Sequence, residues 1–343
     1  MGVVVVVIDG IVYRWSPNGG VAVYYRELVK NLIKSHRTFS FLEYRSEGVF
    51  SNSVQVKARF VERYREAVVP TNGKLFHSSY YRLPSSSSIK IVTTVHDFTY
   101  ERLFSGAKKL VHSWQKKRAI LGSDAVICIS ESTKRDLFEF IPEMNPDRVH
   151  VVPNGVSDDF FRLERNEEYG SVDYPYCLFV GGRHGYKNFS HVLRTMELVP
   201  ELKLVCVGGE ALTVQERMQI EQLIPGRFSF EGIVTNGRLN ELYNRAFCLF
   251  YASKYEGFGI PVLEAMRAGC PVVAVGASSI PEVAGDSALL VSGDNCEESA
   301  LAIRSLMDLS FRSKVIEMGK RQAMNFSWEN TSARIFEIYD KIL

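Results

Sequence analysis

The sequence predicts an α/β protein made of two doubly wound domains, each built on a parallel sheet. Three observations carry this. Short apolar runs alternate with helical patterns almost from end to end, as βαβ units do. The runs are apolar nearly without interruption, as strands covered on both faces must be. The alternation breaks once, between Pro153 and Tyr174, where the turn signal PNGV precedes the charged stretch DDFFRLERNEEYG. A length of 343 residues suits two domains.

In the first half the expected strands are Val3–Ile8, Phe39–Tyr44, Lys74–Ser78, Ile89–Val95, Ala125–Ile129 and Val149–Val152. In the second they are Tyr176–Val180, Lys203–Val207, Arg227–Phe230, Cys248–Tyr251, Pro271–Val275 and Ala288–Val291. The boundary falls near 155–172, giving an N-terminal domain over 1–160 and a C-terminal domain over 170–327. Ligand is expected where doubly wound sheets bind it, at the carboxyl ends of the strands, in a cleft between the domains. The opening run VVVVVI is a buried strand, because it is far too short to span a membrane and lacks the basic region of a signal peptide. Ser85–Ser88 reads as a flexible loop.

Composition excludes several classes. With 46% hydrophobic and 23% charged residues the chain is an ordinary globular one, and a net charge of +2 gives no global argument for nucleic acid. Cys128, Cys177, Cys206, Cys248 and Cys270 lie in or beside apolar runs, and Cys296 follows a turn. Without a CxxC they read as reduced thiols, which implies a cytoplasmic protein. There is no Asp-X-Asp and no grouping with metal-ligand spacing, so no metal cofactor is expected.

The most informative stretch is KYEGFGIPVLEAM, residues 254–266. Gly257 and Gly259 allow close backbone approach around Phe258. Ile260 and Pro261 open a helix, Pro261 suiting its first position, and free N–H groups there make an anion site. Glu264 lies roughly 5–6 Å further along the axis, about the step from a diphosphate to the ribose it esterifies. Glu256, in the preceding loop, falls on the opposite side, where a sugar beyond the diphosphate belongs. Taken alone a GxG is only a tight turn and VLEAM an amphipathic helix. The whole string, however, resembles the E-x7-E signature of retaining glycosyltransferases of the GT-B fold, family four, group-one type.

The remaining motifs are read beside that resemblance. GGRHGYKN, residues 181–188, follows the first strand of the second half; it is either a solvated basic turn or a phosphate loop with Arg as a fork and Lys as a point charge. It resembles the segment in which the family neutralises the donor diphosphate, which implies roles for Gly182, Arg183 and Lys187. Tyr186 stands where many members carry Arg, so Lys187 transfers more directly than Arg183. Gly19-Gly20 opens a helix and resembles the loop that reaches the donor phosphates. His96-Asp97 ends a strand and resembles the family's TVHD segment, whose His lies near the transferred sugar. Ser130 or Ser132 can cap the next helix, with Ser130 the residue near ligand in relatives. Ile233, after Phe230-Glu231-Gly232, is expected to meet the base through backbone groups.

The resemblance implies two Rossmann-like domains, with a final helix, 328–343, crossing back to the N-terminal one. It also implies a metal-independent transferase in which His96, Glu256, Lys187 and Arg183 act on the sugar and its leaving phosphate. The donor expected is a nucleoside-diphosphate hexose, UDP first and GDP second. The acceptor is a saccharide or lipid-linked saccharide of polysaccharide or cell-envelope synthesis. A sugar-nucleotide epimerase, or a binding protein without transfer activity, is the alternative. Lys108, Lys109, Lys116, Lys117 and Arg118, around Leu110, Val111, Trp114 and Ile120, form either a solvated helix face or a contact with the anionic inner surface of a membrane.

Overall fold

A computed structural model of the chain describes residues 5–44, 50, 53–164 and 175–343. It divides into two units, Met1–Gly155 with Trp328–Leu343, and Val156–Ser327. Residues 165–172 of the expected boundary, and Val3–Val4 of the first strand, lie outside the described residues.

The first unit holds β1 (Val5–Asp9), β2 (Phe39–Glu43), β3 (Ser53–Gln55), β4 (Gly73–Ser78), β5 (Lys90–Val95), β6 (Ala125–Cys128) and β7 (Val149–Val151). They form one parallel sheet in the order β3-β2-β1-β4-β5-β6-β7. Burial explains why the inner strands were legible: every residue of β1 and β6 is buried. β3 has no such signature. It is three residues long and pairs at the edge with β2, and it was not expected.

The second unit holds β8 (Tyr176–Val180), β9 (Lys203–Val207), β10 (Phe228–Gly232), β11 (Cys248–Tyr251), β12 (Val272–Val275) and β13 (Leu289–Val291). Their order is β10-β9-β8-β11-β12-β13, again parallel throughout. In both sheets the chain starts in the interior, winds to one edge, then returns to continue beside the first strand. That reversal creates a switch point, between β1 and β4 in one unit and between β8 and β11 in the other, where diverging loops leave a crevice.

The helix Trp328–Ile342 belongs to the first unit. His77 Nδ1 and the Tyr339 hydroxyl share a hydrogen bond of 2.5 Å, Thr331 donates to the Pro153 carbonyl at 2.8 Å, and Arg37 grips Asp340 through two bonds of 2.7 Å. The division between units corrects one detail of the sequence reading. Residues 156–160 go with the second unit, because Val156 bridges to Ser327, its carbonyl accepts from Arg267, and Phe160 packs edge-on against Tyr243.

Candidate functional site

The switch point of the second unit brings two predicted residues into contact. β8 ends at Val180 and emits the loop carrying Gly181–Asn188; its neighbour β11 ends at Tyr251 and emits the loop carrying Glu256. Lys254 N–H donates to the Tyr186 carbonyl at 2.8 Å, tying one loop to the other. Lys187 Nζ then meets Glu256 Oε1 at 2.6 Å, with side chains 19% and 13% exposed. The ammonium also lies 5.3 Å from the Tyr186 ring and 5.6 Å from that of Tyr251. The Tyr251 phenol is held well above its ordinary pKa by burial and then by the nearby Glu256 charge.

The Glu256 backbone is fixed from the next strand's loop. Its N–H donates to Ser278 Oγ at 2.8 Å, while Ser279 Oγ donates to the carbonyls of Glu256 and Phe258, both at 2.9 Å. Gly257 is half-buried, and Phe258 packs inward against Phe326. Gly259 has φ +103°, and a Cβ there would come within 2.6 Å of Ile280 Cδ1, so only glycine fits this turn. The helix it caps runs Ile260–Arg267, with Pro261 in its second position, not its first as expected.

Glu264 sits one turn into that helix. The Tyr243 hydroxyl donates to its Oε2 at 3.0 Å. Burial pushes the carboxyl up to about 7, and the Tyr243 hydrogen bond partly opposes the push. The residue keeps some exposure, so the cause is a crowded, weakly hydrated recess, not complete occlusion.

Arg183 is directed elsewhere. Its Nε donates to Glu216 Oε1 at 2.9 Å, Nη1 to the Gly208 carbonyl at 3.3 Å and Nη2 to the Glu210 carbonyl at 2.5 Å, and its plane covers the Phe230 ring at 4.7 Å. With its side chain 1% exposed, it braces the loop after β8 against the loop after β9. Gly182 beside it is half-buried. Ile233, just past β10, is 75% exposed.

The other predicted residues belong to the first unit. Gly19 caps the helix Gly20–Lys34, and open space surrounds the position a Cβ would take on Gly20. Tyr24 of that helix touches His96 edge-to-face, centroids 5.0 Å apart. Burial lowers His96 to about 4, with Asp97 opposing and Lys116 reinforcing, so the ring is neutral at pH 7; its Nε2 is buried with no hydrogen-bond partner among the described residues. Ser130 caps the helix Glu131–Phe140 by accepting from Thr133 N–H. At the switch point itself stands a buried ionic network that the sequence reading did not include. Arg82 donates to Asp9 Oδ1 at 3.1 Å, to the Tyr44 hydroxyl at 2.8 Å, to Glu62 at 2.5 Å and to the Arg65 carbonyl at 2.9 Å.

Lys116 departs from the expected basic face. It is buried, pairing with Glu101 at 2.7 Å and donating to the Asp97 carbonyl at 2.8 Å. Leu110, Val111 and Trp114 are exposed, as are Lys117 and Arg118, which pair with Glu143 and Glu66. Among residues that touch the predicted ones, Tyr243, Tyr251, Ser278 and Ser279 were missed. A serine in ASSIPEV carries no local signal, because its partners are backbone groups some twenty positions away.

Two parallel doubly wound units of this order are the architecture of the GT-B glycosyltransferases. The structure of sucrose-phosphate synthase from Thermosynechococcus elongatus superposes with a TM-score of 0.81 over 99% of each chain, at 17% identity. Anabaena HepE in complex with UDP and glucose gives 0.77 over 98% of this chain and 100% of that one, at 14% identity. Residues 18–160 match the family described as Glycosyltransferase Family 4, and residues 161–322 match Glycosyl transferases group 1. The chain belongs to the family 4, group 1 glycosyltransferases. The O-antigen chain mannosyltransferase B of Escherichia coli is 26% identical over 282 residues, 77% of this chain and 74% of that one.

Proposed function

We propose that this protein transfers a hexose, with retention and without a metal, from a nucleoside-diphosphate sugar to a saccharide or lipid-linked saccharide acceptor in glycan synthesis. One observation carries the reading: an ammonium (Lys187) and two carboxylates (Glu256 and Glu264) stand on the loops and helix that flank one switch point. Lys187 meets the diphosphate, Glu264 the ribose hydroxyls and Glu256 the sugar. Charge develops on the leaving phosphate as the glycosidic bond stretches, so a preorganised cation beside it is the main catalytic term. For His96, neutral at pH 7, we keep the role that the resemblance implies, a hydrogen-bonding group for the sugar. Arg183 acts through the loop it braces. Gly19, Gly20, Gly182 and Ile233 supply backbone approach. UDP is the first choice of base, supported by the complex of HepE with UDP and glucose, and GDP is the second.

The protein works in the cytoplasm. Among the described residues no helix is long and apolar enough to cross a membrane. Exposed Leu110 and Trp114 beside Lys117 and Arg118 support peripheral contact with the inner membrane face.

The test is incubation with UDP-glucose, UDP-galactose and GDP-mannose, each with and without a saccharide acceptor, in buffer containing EDTA. Acceptor-dependent release of nucleoside diphosphate under EDTA is expected. A sugar change without acceptor would identify an epimerase, and recovery only on adding Mg²⁺ or Mn²⁺ would refute the metal-free mechanism.

A further inference from the structure

We infer that Glu256 is a built-in competitor of the diphosphate, and that this makes the site discriminate a sugar-bearing donor from spent nucleotide. The inference rests on the donor-site reading above. Lys187 has its charge already answered, since Glu256 Oε1 stands 2.6 Å from Nζ and both side chains are largely sheltered from water. A phosphate oxygen that takes this ammonium must displace the carboxylate. Screening will not weaken that competition as it would on an open surface.

The surroundings define where the carboxylate can go. The Glu256 backbone is clamped by Ser278 on its N–H and by Ser279 on its carbonyl, so the carboxylate moves by its own side-chain torsions while the loop stays in place. Lys187 is similarly confined, with the Tyr186 and Tyr251 rings near its ammonium and Gly181 close enough that a Cβ there would lie 3.7 Å from Nζ. The two groups thus form a switch with two settings: Lys187 on Glu256, or Lys187 on phosphate with Glu256 released.

A released carboxylate needs new donors. An intact donor brings them, because its sugar carries hydroxyls beside the diphosphate. A bare nucleoside diphosphate brings none and leaves Glu256 to reclaim Lys187. The cost of opening the pair therefore falls on product more than on substrate, which speeds release of the spent nucleotide after transfer. In this role Glu256 is a specificity-determining residue in addition to contacting the sugar.

The experiment is calorimetric titration of UDP and GDP, and of UDP-glucose and GDP-mannose, into the wild-type protein, Glu256→Gln, Lys187→Ala and the double variant. Glu256→Gln is expected to bind the preferred diphosphate about tenfold more tightly, the worth of one charge-assisted hydrogen bond no longer in competition. Its preference for the sugar-bearing form should shrink accordingly. In the Lys187→Ala background the same substitution should leave diphosphate affinity unchanged, an outcome that a merely structural Glu256 would not produce. Glu256→Asp, which keeps the charge but withdraws it from Nζ, should shift affinity in the same direction by less, and serves if the glutamine variant does not fold. Unchanged or weaker diphosphate binding in a folded Glu256→Gln or Glu256→Asp protein overturns the inference and leaves the donor site standing. Binding of neither nucleotide by the wild type removes both.

Discussion

The two units use one topology and place charged residues at the same point of it, with opposite results. At the switch point of the first unit, Arg82 is 0% exposed and is answered by Asp9 and Glu62 at 0% and 2%. At that of the second, Lys187 and Glu256 keep 19% and 13% exposure and hold each other through one contact. The first arrangement is a keystone, since each guanidinium nitrogen has a partner and no ligand could take one without unmaking the core. The second leaves both charges within reach of a ligand, as the proposed donor site requires. Position in the fold nominates a switch point for function; the exposure and saturation of its charges decide whether it serves.

The largest expected effect tests the keystone. Arg82→Met leaves the Asp9 and Glu62 carboxylates buried without their central counter-charge, which should destabilise the first unit by about 3–5 kcal/mol. A thermal melt that loses less than about 1 kcal/mol would mean water screens this network and the contrast is false.

Next comes Lys187→Ala. It should weaken diphosphate binding by about 1.5–3 kcal/mol, with little change in the melt and little change for the nucleoside alone. Equal losses for nucleoside and diphosphate, by calorimetry, would make Lys187 a keystone too.

Glu264 gives a pH-dependent test. Its folded value, about 7, lies above the 4.5 of an unperturbed carboxyl, so the native state holds the proton more tightly than the unfolded chain. The stability this contributes is fully present below 4.5 and is lost as pH rises through 7. Glu264→Gln, uncharged throughout, should therefore raise Tm by about 3 °C at pH 8 and leave it unchanged at pH 4. A Tm gain independent of pH would show that the carboxylate is not strained.

The smallest effect is at Gly20, where open space would receive a Cβ. Gly20→Ala should stabilise the first unit by about 0.5 kcal/mol, as glycine-to-alanine changes at compatible positions do. If the helix start also receives donor phosphate, turnover falls while Tm rises; if both hold or improve, Gly20 is only a turn.

The inner strands were legible because a parallel strand buried on both faces leaves a continuous apolar run, as VVVID and AVIC do. The edge strand SVQ leaves none. Glu256, Glu264 and Lys187 were singled out because the resemblance rests on consecutive residues of single loops and turns, and the structure brings Lys187 and Glu256 together. Arg183 was legible as a cation, but its orientation depends on Glu216 and the carbonyls after β9, which sequence spacing does not reveal. Lys116 misled for the same reason, since Glu101 reaches it from a neighbouring helix. Asp9 could have been found. It ends an apolar strand just as His96 follows one, so both polar residues stand at the carboxyl end of a strand.

The helix Trp328–Ile342 completes the first unit although the whole second unit precedes it in the chain. During synthesis the second unit can therefore close its sheet while the first still waits for Tyr339 to reach His77 and for Asp340 to reach Arg37. The usual order of vectorial folding, amino-terminal domain first, cannot run to completion here. A ribosome stalled before residue 328 would carry a finished second unit and an unfinished first one with Tyr24 and His77 lacking their last neighbours.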